Sequence, residues 1–320
     1  MKRLYIRLLP VFLIFQLFVL SADAAQMLIP VGEVVGLELH NNTVTVAAFE
    51  ESSQAEASGL QVGDRIVTID GQAVSSTEDI RSLLNRSKGF VNIGIERSGI
   101  RHQLRVIPEI TGEGPKLGVY LRQGITGIGT VTFYNPETGT FGTLGHGVND
   151  SAARLLTMTT GNAYRARISR IRKGTAGNPG QLIGALNDRV PIGTLYKNCS
   201  QGVFGKTARP WRGTALPVGS AETVRTGSAA ILSTIDSASP KEYSVEILKV
   251  YSRSRAEGRN LLLRVTDPEL LEATGGIVQG MSGSPIIQDG KLVGAVTHVL
   301  VNDPTTGYGI FIENMLDAAA

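Results

Sequence analysis

Residues 280–296 read Gly280-Met281-Ser282-Gly283-Ser284-Pro285-Ile286-Ile287-Gln288-Asp289-Gly290-Lys291-Leu292-Val293-Gly294-Ala295-Val296. A glycine-flanked serine is followed by a turn at Asp289-Gly290 and then a short apolar run. A serine hydroxyl at its ordinary pKa is a poor nucleophile and needs an adjacent base, usually histidine. It also needs backbone N–H donors aimed at the oxyanion of a tetrahedral intermediate. Glycine on both sides of the serine permits the turn that points the amides of Gly280 and Ser282 inward. Upstream, Phe141-Gly142-Thr143-Leu144-Gly145-His146-Gly147 supplies a glycine-flanked histidine. His146 and Ser282 are the expected base and nucleophile, and Gly280 and Ser282 the expected oxyanion donors.

Short β segments surround these motifs from Gly124 onward: 127–134, 243–248, 261–265 and 291–301, parted by turn signals such as Asn135-Pro136. Many short strands without long amphipathic helices imply a sandwich or barrel. The stretch from Arg165 to Lys173 alternates basic and apolar residues, as a strand with one solvated face does. The Gly-x-Ser-Gly-x-Pro loop and its following strand resemble chymotrypsin-like serine proteases, which implies a double β-barrel over residues 111–320. They do not fit the Gly-x-Ser-x-Gly elbow, because position 284 is serine and no strand-to-helix pattern surrounds it. A carboxylate would orient the histidine. Asp267 preserves the chain order His, Asp, Ser, but it also reads as a helix N-cap, with Pro268 at the first helical position and Gly275 ending the helix. Asp150 is a rival if its segment is helical, and Asp303 and Asp236 are further candidates. His298 reads either as a cleft residue or as a strand histidine with its bonds satisfied.

The chain has 320 residues, which suggests about two domains. Lys and Arg exceed Asp and Glu by three, but Lys2, Arg3 and Arg7 sit at the very start. Without residues 1–24 the excess is one, 28 against 27. A nucleic-acid-binding body is not expected. A lone Cys199 with four histidines excludes a disulfide framework and any Cys-rich zinc site, and no cofactor or metal is expected. Residues 1–24 combine a basic start, the apolar run Leu8–Leu20 and the small-residue end Ser21-Ala22-Asp23-Ala24. This is a signal peptide or a membrane anchor, and either places the body outside the cytoplasmic membrane.

Over residues 30–110 the order is strand, strand, Gly59-Leu60-Gln61-Val62-Gly63-Asp64-Arg65-Ile66, the capping box Ser75-Ser76-Thr77-Glu78, a helix bearing Ile80, Leu83 and Leu84, then alternating strands around Val91–Ile95 and Gln103–Val106. This resembles a PDZ domain, a small α/β module. Such modules add a chain end as a strand beside a sheet edge, with loop N–H groups holding its carboxylate. Val35, Gly36 and Leu37 are the expected peptide-binding loop.

Three stretches together resemble the SpoIVB peptidase family: Phe141–Gly147, Thr266–Leu271 and Thr274–Pro285, extended by Ala295–Pro304. The resemblance covers nearly the whole chain. It implies a sporulation serine endopeptidase, exported into the forespore intermembrane space and membrane-proximal. Such an enzyme cleaves itself and then a regulatory subunit of an intramembrane protease, activating a late sigma factor. It implies His146, Asp267 and Ser282 as the catalytic set, with the PDZ module engaging peptide ends. Two other readings remain: an inactive exported PDZ adapter, and a quality-control protease of the HtrA type, in which the PDZ modules would follow the protease domain.

Overall fold

The computed structural model describes residues 26–112, 114–150, 153–236, 239–255 and 258–320. The leader expected over residues 1–24 lies outside them. The described chain opens with β1 (Met27–Pro30) and β2 (Val34–Phe49), then leaves for a small module. That module holds α1 (Gln54–Ala57), β3 (Arg65–Ile69), β4 (Gln72–Ala73), α2 (Thr77–Arg86), β5 (Val91–Arg97), β6 (Ile100–Val106) and the hairpin β7 (Glu109–Thr111) and β8 (Gly114–Lys116). The chain returns along β9 (Val119–Tyr134), antiparallel to β2 from the Val34–Thr130 pair to the Phe49–Val119 pair.

Apolar residues one helical turn apart place Ile80, Leu83 and Leu84 of α2 on one buried face, against β3 and β5. Burying each such side chain contributes about 1.5–3 kcal/mol. The capping box lies one residue later than the sequence suggests. Ser76, not Ser75, is the N-cap, and Asp79 rather than Glu78 closes the box. The Asp79 carboxylate accepts from the N–H groups of both Ser75 and Ser76. The Ser75 hydroxyl also donates to it at 2.7 Å, and this bond first, with the N–H bonds behind it, holds its pKa below the usual carboxylate range.

After β9 come β10 (Thr140–Thr143), β11 (Thr160–Arg172), β12 (Gln181–Cys199), β13 (Gly202–Lys206) and β14 (Leu216–Pro217). Strands β2, β9, β10, β13, β12 and β11 pair in a ring that closes on itself, and β1 joins β9 to β14 outside it. On β11, Ala163 packs in the first barrel's core and Ile168 against residues of the second barrel, while Arg165, Arg167, Arg170 and Arg172 are exposed. The second barrel is also closed: β15 (Gly227–Ser233), β16 (Lys241–Val250), β17 (Leu261–Val265), β20 (Asp303–Phe311), β19 (Lys291–Leu300) and β18 (Pro285–Gln288) pair in that order. Two short helices, α3 (Pro268–Thr274) and α4 (Ile312–Ala319), pack on it. The fold is mainly β, a small α/β module joined to a double barrel.

The division of the chain differs from a module over residues 30–110 followed by a barrel domain over 111–320. Residues 27–39 belong to the first barrel, where Leu37 and Leu39 are buried, whereas Val44 and Val46 of the same strand lie in the module's core. The module is thus an insertion carried on two continuous strands. At the junction the β2–β9 register slips between Leu39 and Val44. Opposite that slip, Gly124 adopts φ +89°, and a Cβ there would stand 1.9 Å from the Leu39 carbonyl oxygen. Only glycine fits so close a backbone approach.

Candidate active site

His146 follows β10 on a turn in which Leu144 (φ +67°) and Gly145 (φ +69°) are both left-handed. A left-handed leucine is a strained choice, held in place by its surroundings. Here Leu144 is buried, its N–H donates to the Thr130 carbonyl, and the neighbouring Gly145 packs so closely that a Cβ would stand 2.8 Å from Thr297 Cγ2. Downstream, the buried side of the loop is pinned by Asn198 of β12. Its Oδ1 accepts from Val148 N–H, and its Nδ2 donates to the carbonyls of Val148 and Leu156, each at 2.9 Å.

The His146 Nδ1 lies 2.9 Å from the carbonyl oxygen of Gly147. A carbonyl only accepts, so Nδ1 carries the proton and Nε2 keeps its lone pair. That is the tautomer a general base requires. Burial pushes the His146 pKa below its ordinary value, and the bond to Gly147 opposes the shift only partly. The ring is neutral at physiological pH.

Ser282 comes from the opposite barrel. Its loop is built on Met281, fully buried, with Ser284 N–H donating to Met281 O and Gly283 N–H to Val296 O. Gly280 (φ +100°) and Gly283 (φ +97°) take conformations that side chains disfavour. At Gly283 a Cβ would meet Thr130 O at 2.1 Å and Leu144 N at 2.6 Å, so the serine loop lies directly against the histidine turn. The N–H groups of Gly280 and Ser282 have no hydrogen-bond partner among the described residues. The Ser282 hydroxyl donates to Thr297 O at 2.8 Å. In this orientation it is bonded to Thr297 and not to His146.

The third position is a correction. Asp267 is occupied as the α3 N-cap: its carboxylate accepts from Leu270 N–H at 3.1 Å and Ser244 N–H at 3.2 Å. Pro268 and the left-handed Gly275 bound that helix as the sequence suggests. Arg259, just ahead of β17, lines the His146 cavity, whereas Asp267 lies beyond the other end of that strand. Four strand steps of ~3.3 Å alone put about 13 Å between the two ends. Among the described residues no hydrogen bond or ion pair joins Asp267 to His146. Asp150 lies in a loop rather than a helix, paired with Arg154 at 3.0 Å. Asp303 accepts from the hydroxyls of Thr305 and Thr306, which lower its pKa.

His298 of β19 lies beside His146, with ring centres 5.2 Å apart. Its buried Nδ1 has no hydrogen-bond partner among the described residues, unlike a strand histidine with its bonds satisfied. Burial, helped by His146 and Arg259, lowers its pKa to about 4. The two imidazoles share a cavity of about 340 Å³ with Asn149, Leu155, Ser200 and Arg259.

The expected peptide-binding loop is a second correction. Val35, Gly36 and Leu37 sit inside β2, paired on one side to Gly129, Ile128 and Gly127 and on the other to Arg165, Tyr164 and Ala163. A strand bonded on both sides offers no edge to a peptide. The segment 119–123 of β9 differs, since among the described residues it pairs only with β2. It is preceded by buried Leu117 and left-handed Gly118 (φ +67°). An apolar residue and glycine just ahead of a strand was the available signal. Thr130 and Asn198 had no comparable signature.

The SpoIVB peptidase S55 family model matches residues 113–316. The chain belongs to the SpoIVB peptidase family. It is a serine peptidase, and a PDZ domain matches residues 45–97. Other likenesses of this family member are partial. A protein of Rhizobium meliloti named "Putative zinc metalloprotease R01501" is 34% identical over 97 residues, 30% of this chain and 25% of that protein. One of Agrobacterium fabrum, "Putative zinc metalloprotease Atu1380", is 36% identical over 86 residues, 27% of this chain and 23% of that protein. The chain thus spans about a quarter of the curated relatives it matches. Among the described residues no three His, Cys, Asp or Glu side chains are grouped to hold a metal ion. Of solved structures, the PDZ domain of an SdrC-like protein from Listeria monocytogenes is 26% identical, covering 25% of this chain and 87% of that one (TM-score 0.23). An inactive form of the protease Rv3671c is 14% identical, covering 59% of this chain and 81% of that one (TM-score 0.36).

Proposed function

We propose that this SpoIVB-family member is an exported serine endopeptidase working through a Ser282–His146 pair. Ser282 Oγ attacks the scissile carbonyl carbon and passes its proton to His146 Nε2. The carbonyl electron pair moves to oxygen, where the N–H groups of Gly280 and Ser282 receive it. Collapse expels the amine, which takes the proton from Nε2, and water then hydrolyses the acyl-enzyme with His146 again as base. The observation that carries this reading is the pair of unspent N–H groups at Gly280 and Ser282, on a loop pressed against the histidine turn. In this structure the Gly147 carbonyl, rather than Asp267, orients the imidazole.

The proposed enzyme acts in sporulation, cleaves itself and then a regulatory subunit of a membrane protease, and works in the forespore intermembrane space near a membrane; the resemblance of the Phe141–Gly147 and Thr274–Pro285 stretches to the family supports this. In this reading the PDZ module receives peptide ends at the 119–123 edge of β9. The same strand continues to Thr130 beside the nucleophile loop, a direct mechanical route between the two sites.

The test is incubation of the purified chain with a fluorophosphonate probe, together with a self-processing assay. Labelling and self-cleavage should both vanish in Ser282→Ala and His146→Ala. Unchanged labelling in Ser282→Ala would refute the assignment.

A further inference from the structure

We propose that Thr130 is a positioning residue, whose buried hydroxyl sets the nucleophile loop against the histidine turn; this rests on the Ser282–His146 reading. Thr130 is fully buried on β9 in the first barrel. Its N–H donates to Ser282 O at 2.9 Å, and its hydroxyl donates to Gly280 O at 2.8 Å. Its carbonyl accepts from Leu144 N–H at 3.3 Å. One residue thus uses all three of its polar groups to join the loop bearing the serine to the turn bearing the histidine. Nothing about a threonine in a β-strand announces this, since β-branched residues are common there.

The hydroxyl acts where the loop is least constrained. Gly280 has no Cβ and sits at φ +100°, so its own sterics do not fix the flanking peptide planes. The hydrogen bond to its carbonyl oxygen, together with Met281 N–H donating to Val278 O at 3.1 Å, holds the Gly280–Met281 plane, which lies between the two planes that carry the Gly280 and Ser282 N–H groups. Those N–H groups are the oxyanion donors. A donor turned away by a rotated peptide plane is lost as surely as one deleted. Losing the hydroxyl also leaves the half-buried Gly280 O without its bond, which favours rotation of that plane. The two backbone bonds of Thr130 survive any side-chain substitution, so the barrels remain joined and the hydroxyl's effect can be isolated.

The variants are Thr130→Val, which keeps the shape and removes the hydroxyl, and Thr130→Ser, which keeps the hydroxyl. The probe is a fluorophosphonate, and the two quantities are the maximal labelling rate of Ser282 and the half-saturating probe concentration. Thr130→Val should lower the maximal rate about 10-fold or more, short of the ~10²–10³ for a deleted donor. The half-saturating concentration should stay within about twofold, and Thr130→Ser should restore the rate. A merely structural hydroxyl would instead lower the melting temperature of Thr130→Val and leave its maximal rate intact at a temperature where it is folded; that result overturns the proposal. If Thr130→Val does not fold, Thr130→Ala is read against Thr130→Ser by the same criterion. Absence of Ser282-dependent labelling in the unsubstituted chain defeats the peptidase reading itself. Equal rates in wild type and Thr130→Val defeat only the role of Thr130.

Discussion

The imidazoles of His146 and His298 lie 5.2 Å apart, ring centre to ring centre, with their planes inclined by 39°. Each is pushed by burial toward its neutral form, and His298 is lowered to about 4 partly by His146 itself. Two consequences follow for pH. The base is neutral His146, so the acid limb of the Ser282 labelling rate should have its midpoint below 6.5, the ordinary histidine value. Stability should also fall on acidification. In the window from about 6.5 down to about 4 the unfolded chain binds protons that folded His298 refuses, so folding weakens as pH drops. Melting temperatures measured across that window should decline, and the decline should be shallower in His298→Gln.

Gly283 is where the two barrels approach most closely at the site. An alanine there must accept φ +97° and place its Cβ 2.1 Å from the Thr130 carbonyl oxygen. The conformation alone costs about 1–3 kcal/mol, and the clash is with backbone that cannot step aside. Gly290, with φ +72° but open space around it, serves as the control. Gly283→Ala should lose labelling by on the order of 10² or more, in line with a misplaced oxyanion donor. Gly290→Ala should lose only stability. Equal activity in the two variants would show that the Thr130–Gly283 contact does not set the site.

The contrast between these residues explains what the sequence made legible. His146 and Ser282 stood out because local glycines signal backbone turns, and turn chemistry is a short-range property. The cap at Asp267 was legible for the same reason, as Pro268 and Gly275 frame it within nine residues. Its alternative role was not decidable, because reaching His146 depends on which end of β17 faces which loop. Val35–Leu37 was misread because a strand's edges are invisible in its own sequence; only the partners β9 and β11, far along the chain, show that both are used. The double barrel was foreseen from strand spacing and motif resemblance, but not the insertion of the PDZ module, since continuous β2 and β9 cross the boundary with unbroken strand pattern.

Asp267 can be separated from the catalytic pair by conservative substitution. Its carboxylate accepts from Leu270 N–H, and asparagine can accept the same bond, whereas alanine cannot. Asp267→Ala should therefore lose about 1 kcal/mol of stability, and Asp267→Asn should recover most of it. Because Gly147 O already holds His146 Nδ1, Asp267→Asn should label at a rate within about tenfold of wild type. A folded Asp267→Asn protein slowed by about 10⁴ would instead assign the carboxylate the orienting role it has in triads of the Ser-His-Asp kind.

Peptide capture by the PDZ module should occur where a strand has an unpaired side. On β2, residues Val35–Leu37 spend their backbone on β9 and β11, and a peptide could enter only by displacing a barrel strand. On β9, the segment 119–123 can accept a new neighbour at no such cost, and Gly118 leads into it at φ +67°. A valine at Gly118 would be strained there and would set its Cβ 3.0 Å from Glu109 Oε1. Amide hydrogen exchange, followed as a peptide with a free carboxylate end is added, should show new protection across Leu117–Gln123 and none at Val35–Leu37. Gly118→Val should weaken that binding at least about tenfold. Protection appearing at Val35–Leu37 instead would mean that the barrel opens to take the peptide, and the β9 edge would lose its claim.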